Sequence, residues 1–370
     1  MNRRSPADLS PRSVLGVPFL PPGAVTGAGN RARALVYRLH ARMAPPPVRI
    51  LEGIFGALEH RVLVALCAAG VPDALTGKID PAALAGKIGA DPIALERLLR
   101  FAATRGWVRI DRRGRVRPTA VTAFLRRDHP GGWRAWVDFA GGDEIVAAVA
   151  SLTIGAKPAD AFAAANGLPF FDWMALHPER WTAFDDAMAA GGRMHALTID
   201  AALDWSATHR VCDVGGGTGH LLAALLELQP HLSGAVFDLP AVVARAVQHD
   251  RLTAIGGDAF HEVPGGFDTY LLVNVLHDWN DGDAAKILDR VADAATSDSR
   301  IVVVDNERTA SPRNDLAVSA DVLMAALTNG GRERSTTEFE GLGRRCSLRL
   351  DRTVRLASGD VAHEFVTSRR

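Results

Sequence analysis

The feature that most constrains the fold of this chain is the stretch Val211 to His220, Val-Cys-Asp-Val-Gly-Gly-Gly-Thr-Gly-His. An apolar strand ends at Asp213 and Val214, and glycines follow at alternate positions, Gly215, Gly217 and Gly219. The run Leu221 to Leu226 then begins a helix. Glycine opens backbone angles closed to other residues and lets a ligand approach the main chain, while the helix end offers free N–H groups. Strand, loop and helix in this order make a ligand cradle.

The grammar set there continues to the C-terminus. Val236-Phe237-Asp238 is short, apolar and ends in an acid, and Leu252 to Ile255 is followed by Gly256-Gly257-Asp258. Phe267 to Leu276 is a continuous apolar run, as is Ile301 to Val304 before Asp305. Uninterrupted apolar runs suit strands buried on both faces. The helix between the last two spans Asp281 to Ala295, with Ala285, Ile287, Leu288, Val291 and Ala292 inward. Such alternation predicts an α/β, doubly wound, mostly parallel sheet with ligands at the carboxyl ends of its strands.

Upstream the pattern is helical. Apolar residues recur at Ile50, Ile54, Leu58, Val62 and Leu66, the spacing of an amphipathic helix, and Asp80-Pro81 and Asp91-Pro92 mark two further helix starts. Two short strands around Asp111-Arg112-Arg113-Gly114 complete a winged-helix pattern. The face Leu95 to Arg100 lacks the polar residues of a base-reading helix, so dimerisation suits this domain better than DNA binding. Four segments follow: a poorly ordered extension over 1–44, a winged-helix-like dimerisation domain over 45–131, a helical connector over 132–200 and a ligand-binding catalytic domain over 201–370. Within the extension, Arg31 to Met43 has the arginine content of an amphipathic helix.

Charge and cysteine content narrow the class. With 42 basic and 42 acidic residues the formal charge is zero, which argues against a coat for nucleic acid or anionic membrane. Cys67, Cys212 and Cys346 are scattered without disulfide or zinc spacing, as expected of small buried hydrophobes in a reducing compartment. No apolar run approaches the roughly 20 residues that span a bilayer. A cytoplasmic enzyme is expected.

The cradle's ligand follows from what it lacks. A dinucleotide fingerprint needs a third glycine where His220 stands, so NAD is improbable. Asp238 follows Asp213 by 25 residues, a position suited to ribose hydroxyls. Asp258, Ala259 and Phe260 offer a carboxylate and an aromatic face for adenine. An acidic crevice without a phosphate-binding lysine fits a nucleoside carrying an amine and a positive centre, and S-adenosylmethionine meets that description. His277, in Leu276-His277-Asp278-Trp279, ends the fourth strand. Asp305 and Glu333 arrive where they could orient its ring, and an unperturbed pKa near 6.5 would poise it for proton transfer near neutral pH. The acids at 278, 281 and 283 fail the calcium-loop spacing and are better read with Asn280 as a helix N-cap.

In combination, Asp213 to Gly219, Phe237-Asp238-Leu239-Pro240, Gly257 to Phe260, Leu276 to Trp279 and Gly330-Gly331-Arg332-Glu333-Arg334 resemble the S-adenosylmethionine-dependent small-molecule O-methyltransferases of the caffeate type and their bacterial natural-product relatives. The resemblance covers about residues 48 to 368. It implies a class I methyltransferase (Rossmann-like) domain, a homodimer formed through the N-terminal domain, and a hydroxylated small-molecule acceptor, with no metal, nucleic acid or membrane involved. Asp213, Gly215, Gly217, Asp238, Leu239, Asp258, Ala259 and Phe260 would bind the cofactor, which leaves as S-adenosylhomocysteine. His277 would be the general base flanked by Asp305 and Glu333, and Phe184, Met188, Trp279 and Met324 would line the acceptor pocket. Two positions depart from the family pattern: Asp305 is often Glu, and Val273 is often polar. Two other readings use the same residues: a winged-helix ligand-sensing regulator, and a family member that keeps the cofactor structurally while decarboxylating or hydroxylating.

Overall fold

The computed structural model of the protein describes residues 23–155, 160–312 and 316–368. The chain divides into two compact units. One comprises Arg38–Val146 with Pro178–Ala190; the other comprises Ala147–His177 and Gly191–Arg370, with the residues before Arg38. The 132–200 segment, expected as a single connector, is thus shared between both units, because the long helix Pro178–Ala202 contributes to each.

In the N-terminal unit, helices Pro46–Ala68, Pro81–Ile88 and Pro92–Thr104 precede an antiparallel hairpin of β1 (Val108–Ile110) and β2 (Val116–Pro118). Asp80 and Asp91 cap their helices by accepting from Ala82 N and Ala94 N. Val62, Leu66, Leu84, Leu95, Leu99, Val108 and Val116 form one core. Only the second half of the stripe on Pro46–Ala68 enters it: Ile50 and Ile54 are 65% and 63% exposed, with Leu51, Phe55 and Leu58 beside them also exposed.

Upstream lies a correction to the extension expected to be poorly ordered, since Gly23–Met43 is helical. The prolines that made the segment read as irregular lie before Gly23, and none interrupts the helix itself. Residues 1–22 of that extension lie outside the described residues.

The C-terminal unit is built on a seven-stranded sheet. Its strands are β3 (Arg210–Val214), β4 (Ser233–Asp238), β5 (Leu252–Gly256), β6 (Thr269–Val273), β7 (Arg300–Asp305), β8 (Leu348–Arg355) and β9 (Val361–Thr367), in the order β5-β4-β3-β6-β7-β9-β8. The first five are parallel, and β9 and β8 run antiparallel beyond β7. Alternate residues feed two cores. Cys212, Tyr270, Leu272, Ile301 and Val303 pack with helix Asp281–Ala294, while Val211, Leu271, Val302 and Val304 pack with helix His220–Leu228. Cover on both faces is why these strands read as unbroken apolar runs.

Strand order reverses between β3, which leads out to β4, and β6, which leads out to β7. Such a switch point opens a crevice at the carboxyl ends of the strands. The loops leaving β3 and β6 therefore flank one crevice. Among the described residues, no helix is long and apolar enough to cross a membrane.

Candidate active site

The loop after β3 is shaped by what cannot fit in it. Gly215, Gly217 and Gly219 all have positive φ, at 70°, 59° and 79°, a region L side chains rarely adopt. A Cβ on Gly216 would lie 2.5 Å from Asp213 Oδ2 and 2.9 Å from Val236 Cγ2. Asp238 holds the loop: its Oδ2 accepts from Gly217 N at 2.8 Å and its Oδ1 from Leu239 N at 2.7 Å. Burial raises its carboxyl above the ordinary range, although both N–H groups oppose this.

Asp213 is buried, and its Oδ2 has no hydrogen-bond partner. Burial, then the charge of Asp238, push it up to about 7. A buried acid with an unpartnered oxygen and a half-buried one stand beside the glycine loop, a setting that favours positive over negative charge. Asp258 follows β5, accepting from Phe260 N at 2.9 Å with Oδ1 and meeting His261 Nδ1 at 3.0 Å with Oδ2. Ala259 and Phe260 pack against the sheet's core. The residues expected to bind the cofactor thus lie on consecutive loops at the carboxyl edge of β3, β4 and β5.

Beyond β6 the chain kinks. Asn274 takes a φ of 53°, a conformation that asparagine tolerates better than most residues, and its buried Oδ1 has no partner. The kink sends Val275 against Gly215, where a Cβ would come within 2.9 Å of Val275 Cγ2. A 3-10 turn over Leu276–Asp278 then carries His277, whose ring is buried. Asn280 accepts from Gly282 N and Asp283 N, capping the next helix as expected from the spacing of the acids.

Three carboxylates surround the ring. His277 Nδ1 lies 3.1 Å from Glu333 Oε1 and 3.8 Å from Asp305 Oδ1, and Nε2 lies 3.6 Å from Asp278 Oδ1. Only the first distance is a hydrogen bond. Neither oxygen of Asp305 has a hydrogen-bond partner, which is the consequence of a side chain one methylene shorter than glutamate. Asn306 Nδ2 donates to the same Glu333 oxygen at 3.1 Å, and Asp321 accepts from Glu333 N at 2.8 Å. Burial alone would lower the proton affinity of the ring. The hydrogen bond to Glu333 and the charges of Asp278, Asp305 and Glu333 outweigh it and raise the ring to about 10. Burial likewise raises Asp305 well above the carboxylate range, and Asp278 to about 6. The ring's proton affinity thus lies above the ordinary imidazole value from which the sequence reading began.

The four residues expected to line the acceptor pocket divide between the units. Phe184 and Met188 lie on the Pro178–Ala190 stretch of the N-terminal unit, where Phe184 meets Phe139 edge-on at 5.4 Å. Trp279 and Met324 belong to the C-terminal unit. Trp279 stacks on Phe171 at 5.5 Å and meets Phe260 edge-on at 4.7 Å. Asn274 and Asn306 escaped the sequence reading. Asn306 had a signal, since it directly follows Asp305; the kink at Asn274 had none.

A sheet of this order, a glycine cradle after its first parallel strand and an acid after the next define a class I methyltransferase. Residues 147–347 match the O-methyltransferase domain, and residues 51–128 match the O-methyltransferase dimerisation domain. The chain belongs to this O-methyltransferase family and is an S-adenosylmethionine-dependent enzyme. It is 33% identical to the mitomycin biosynthesis 6-O-methyltransferase of Streptomyces lavendulae, over 84% of this chain and 91% of the relative. The solved structure of LaPhzM superposes with a TM-score of 0.81 at 29% identity, covering 88% of this chain and all of that one. CalO1, a methyltransferase in calicheamicin biosynthesis solved with S-adenosylhomocysteine bound, gives a TM-score of 0.77 at 31% identity over 87% and 98% of the two chains.

The cradle yields a direct test. Gly216→Ala places a methyl group against Asp213 and Val236, an overpacking cost of about 1–3 kcal/mol. Calorimetric titration is expected to show cofactor affinity weakened about tenfold or more. Unchanged affinity would show that the loop gives way and does not form the binding surface.

Proposed function

We propose that the enzyme methylates a phenolic hydroxyl of a secondary-metabolite-type small molecule, with His277 as general base. The observation that carries this reading is the buried imidazole whose Nδ1 is engaged by Glu333, which leaves Nε2 for an acceptor. Asp213, Gly215, Gly217, Asp238, Leu239, Asp258, Ala259 and Phe260 hold the cofactor. When bound, S-adenosylmethionine supplies an electrophilic methyl carbon on a sulfonium. The acids at 213 and 238 suit its positive charge, and the glycine loop admits it against the main chain.

His277 acts by taking the acceptor's hydroxyl proton at Nε2 as the oxygen becomes a nucleophile. Glu333 fixes the ring's orientation and stabilises its charged form, while Asp305 lies beyond hydrogen-bond reach of the ring. The ring must be neutral to begin. Positive charge in the adjoining cradle, which Val275 touches at Gly215, disfavours the imidazolium and brings its proton affinity down. Phenols ionise near pH 10, as tyrosine does, whereas aliphatic hydroxyls are far weaker acids, so a phenol matches this base. Trp279 and Met324, on the C-terminal unit, supply apolar walls for an aromatic acceptor. A second copy of the chain covers the exposed Ile50, Ile54 and Phe55 through the dimerisation domain, since apolar patches of this kind mark interfaces.

Incubation with methyl-labelled S-adenosylmethionine and a panel of phenols and aliphatic alcohols, read by mass, is expected to label phenols. Equal labelling of the alcohols would overturn the acceptor class. His277→Ala is expected to lower kcat by about a hundredfold or more with cofactor affinity nearly unchanged, and wild-type turnover in that variant would remove His277 from the role.

The pH dependence follows from the sign of the shift. A ring raised to about 10 is protonated, and inactive as a base, below that value. Therefore kcat/KM, which reports the free enzyme, rises with pH through the neutral and mildly alkaline range. Glu333→Gln removes the charge that holds the proton, so the rising limb moves to lower pH while its plateau falls. A limb that stays in place in this variant contradicts the assignment.

A further inference from the structure

Arg334 follows Glu333 and is 1% exposed, yet the chemistry above makes no use of it. Its guanidinium reaches back to the turn that carries the base. Nη1 donates to Leu276 O at 2.7 Å, Nη2 to Trp279 O at 2.6 Å and Nε to Asp281 Oδ1 at 2.9 Å. The two carbonyls lie on either side of His277. Within the turn, the backbone bonds Asp278 N to Val275 O and Trp279 N to Leu276 O are both 3.3 Å long, so the guanidinium grips the turn more tightly than the turn grips itself.

The other end of Arg334 is equally fixed. Its carbonyl accepts from Arg308 N at 3.1 Å, and residues 307 and 334 form a parallel bridge just beyond β7. Gly331, three residues earlier, lies so close that a Cβ there would come within 2.5 Å of His277 O. The loop that delivers Glu333 to the ring is thus locked to the backbone of the ring's own turn.

We propose that Arg334 is a positioning residue for the base, setting the distance and angle between His277 and Glu333 by tying the 276–281 turn to the loop from which Glu333 reaches the ring. The role needs a planar group with several donors in fixed directions. An arginine fork provides this; a lysine ammonium, one point charge on a flexible stem, does not span both carbonyls. This inference rests on the base reading, and its test separates the two.

Arg334→Lys keeps the charge and loses the fork. Small misplacements of reacting groups can cost about a hundredfold, and kcat is expected to fall at least about tenfold, with acceptor KM and the calorimetric affinity for S-adenosylhomocysteine changed less than about twofold. In a His277→Ala background the same substitution is expected to cause no further loss, because it acts only through the ring. Wild-type kcat in Arg334→Lys, or an equal loss with and without His277, overturns the proposal. Full turnover in His277→Ala alone overturns the base reading instead. Should Arg334→Lys fail to fold, Asp281→Asn weakens the Nε anchor together with the Arg332 pair on the same carboxylate, with Arg332→Gln as the control for the second: a reduced kcat that His277→Ala masks and Arg332→Gln does not reproduce supports the proposal, and an unchanged kcat overturns it.

Discussion

A buried imidazole held among three carboxylates is the interaction on which the rest of the site depends. Each partner comes from a different part of the sheet's carboxyl edge: His277 and Asp278 after β6, Asp305 at the end of β7, and Glu333 from a loop further along. An uncompensated charge of either sign would be costly at this depth. The ring's proton and the acids' charges therefore stabilise one another, and the packing that brings them together must be close. Gly331 against His277 O, Asn306 on Glu333 and the kink at Asn274 are the local means.

The same sheet sets the second half of the site. Because β6 lies next to β3, the turn bearing the ring adjoins the glycine cradle, and Val275 packs directly on Gly215.

Much of this was legible in the chain itself. Strands β3, β4, β6 and β7 announced themselves as apolar runs, because burial leaves little room for polar alternation, whereas β5 at the sheet's edge is partly exposed. The displaced third glycine separated the cradle from a dinucleotide loop. Spacing shows less of what is decided by close contact. Asp238 was expected to serve a ligand, and its carboxylate also holds Gly217 and Leu239. Asp305 was expected to orient the ring, but its reach leaves that task to Glu333. The hairpin of β8 and β9 went unread, since Leu348–Arg355 carries polar residues on the open edge of the sheet. The long helix Pro178–Ala202 reads only as part of a helical connector over 132–200, and its two ends belong to different units.

Buried carboxylates around His277 raise the proton affinity of its ring. Nitrogen-15 NMR of the imidazole, titrated in the cofactor-free enzyme and assigned by comparison with His277→Ala, measures it directly. The account requires the ring to remain doubly protonated well above its ordinary value of 6.5, towards about 10. A ring that titrates at or below 6.5 would contradict it.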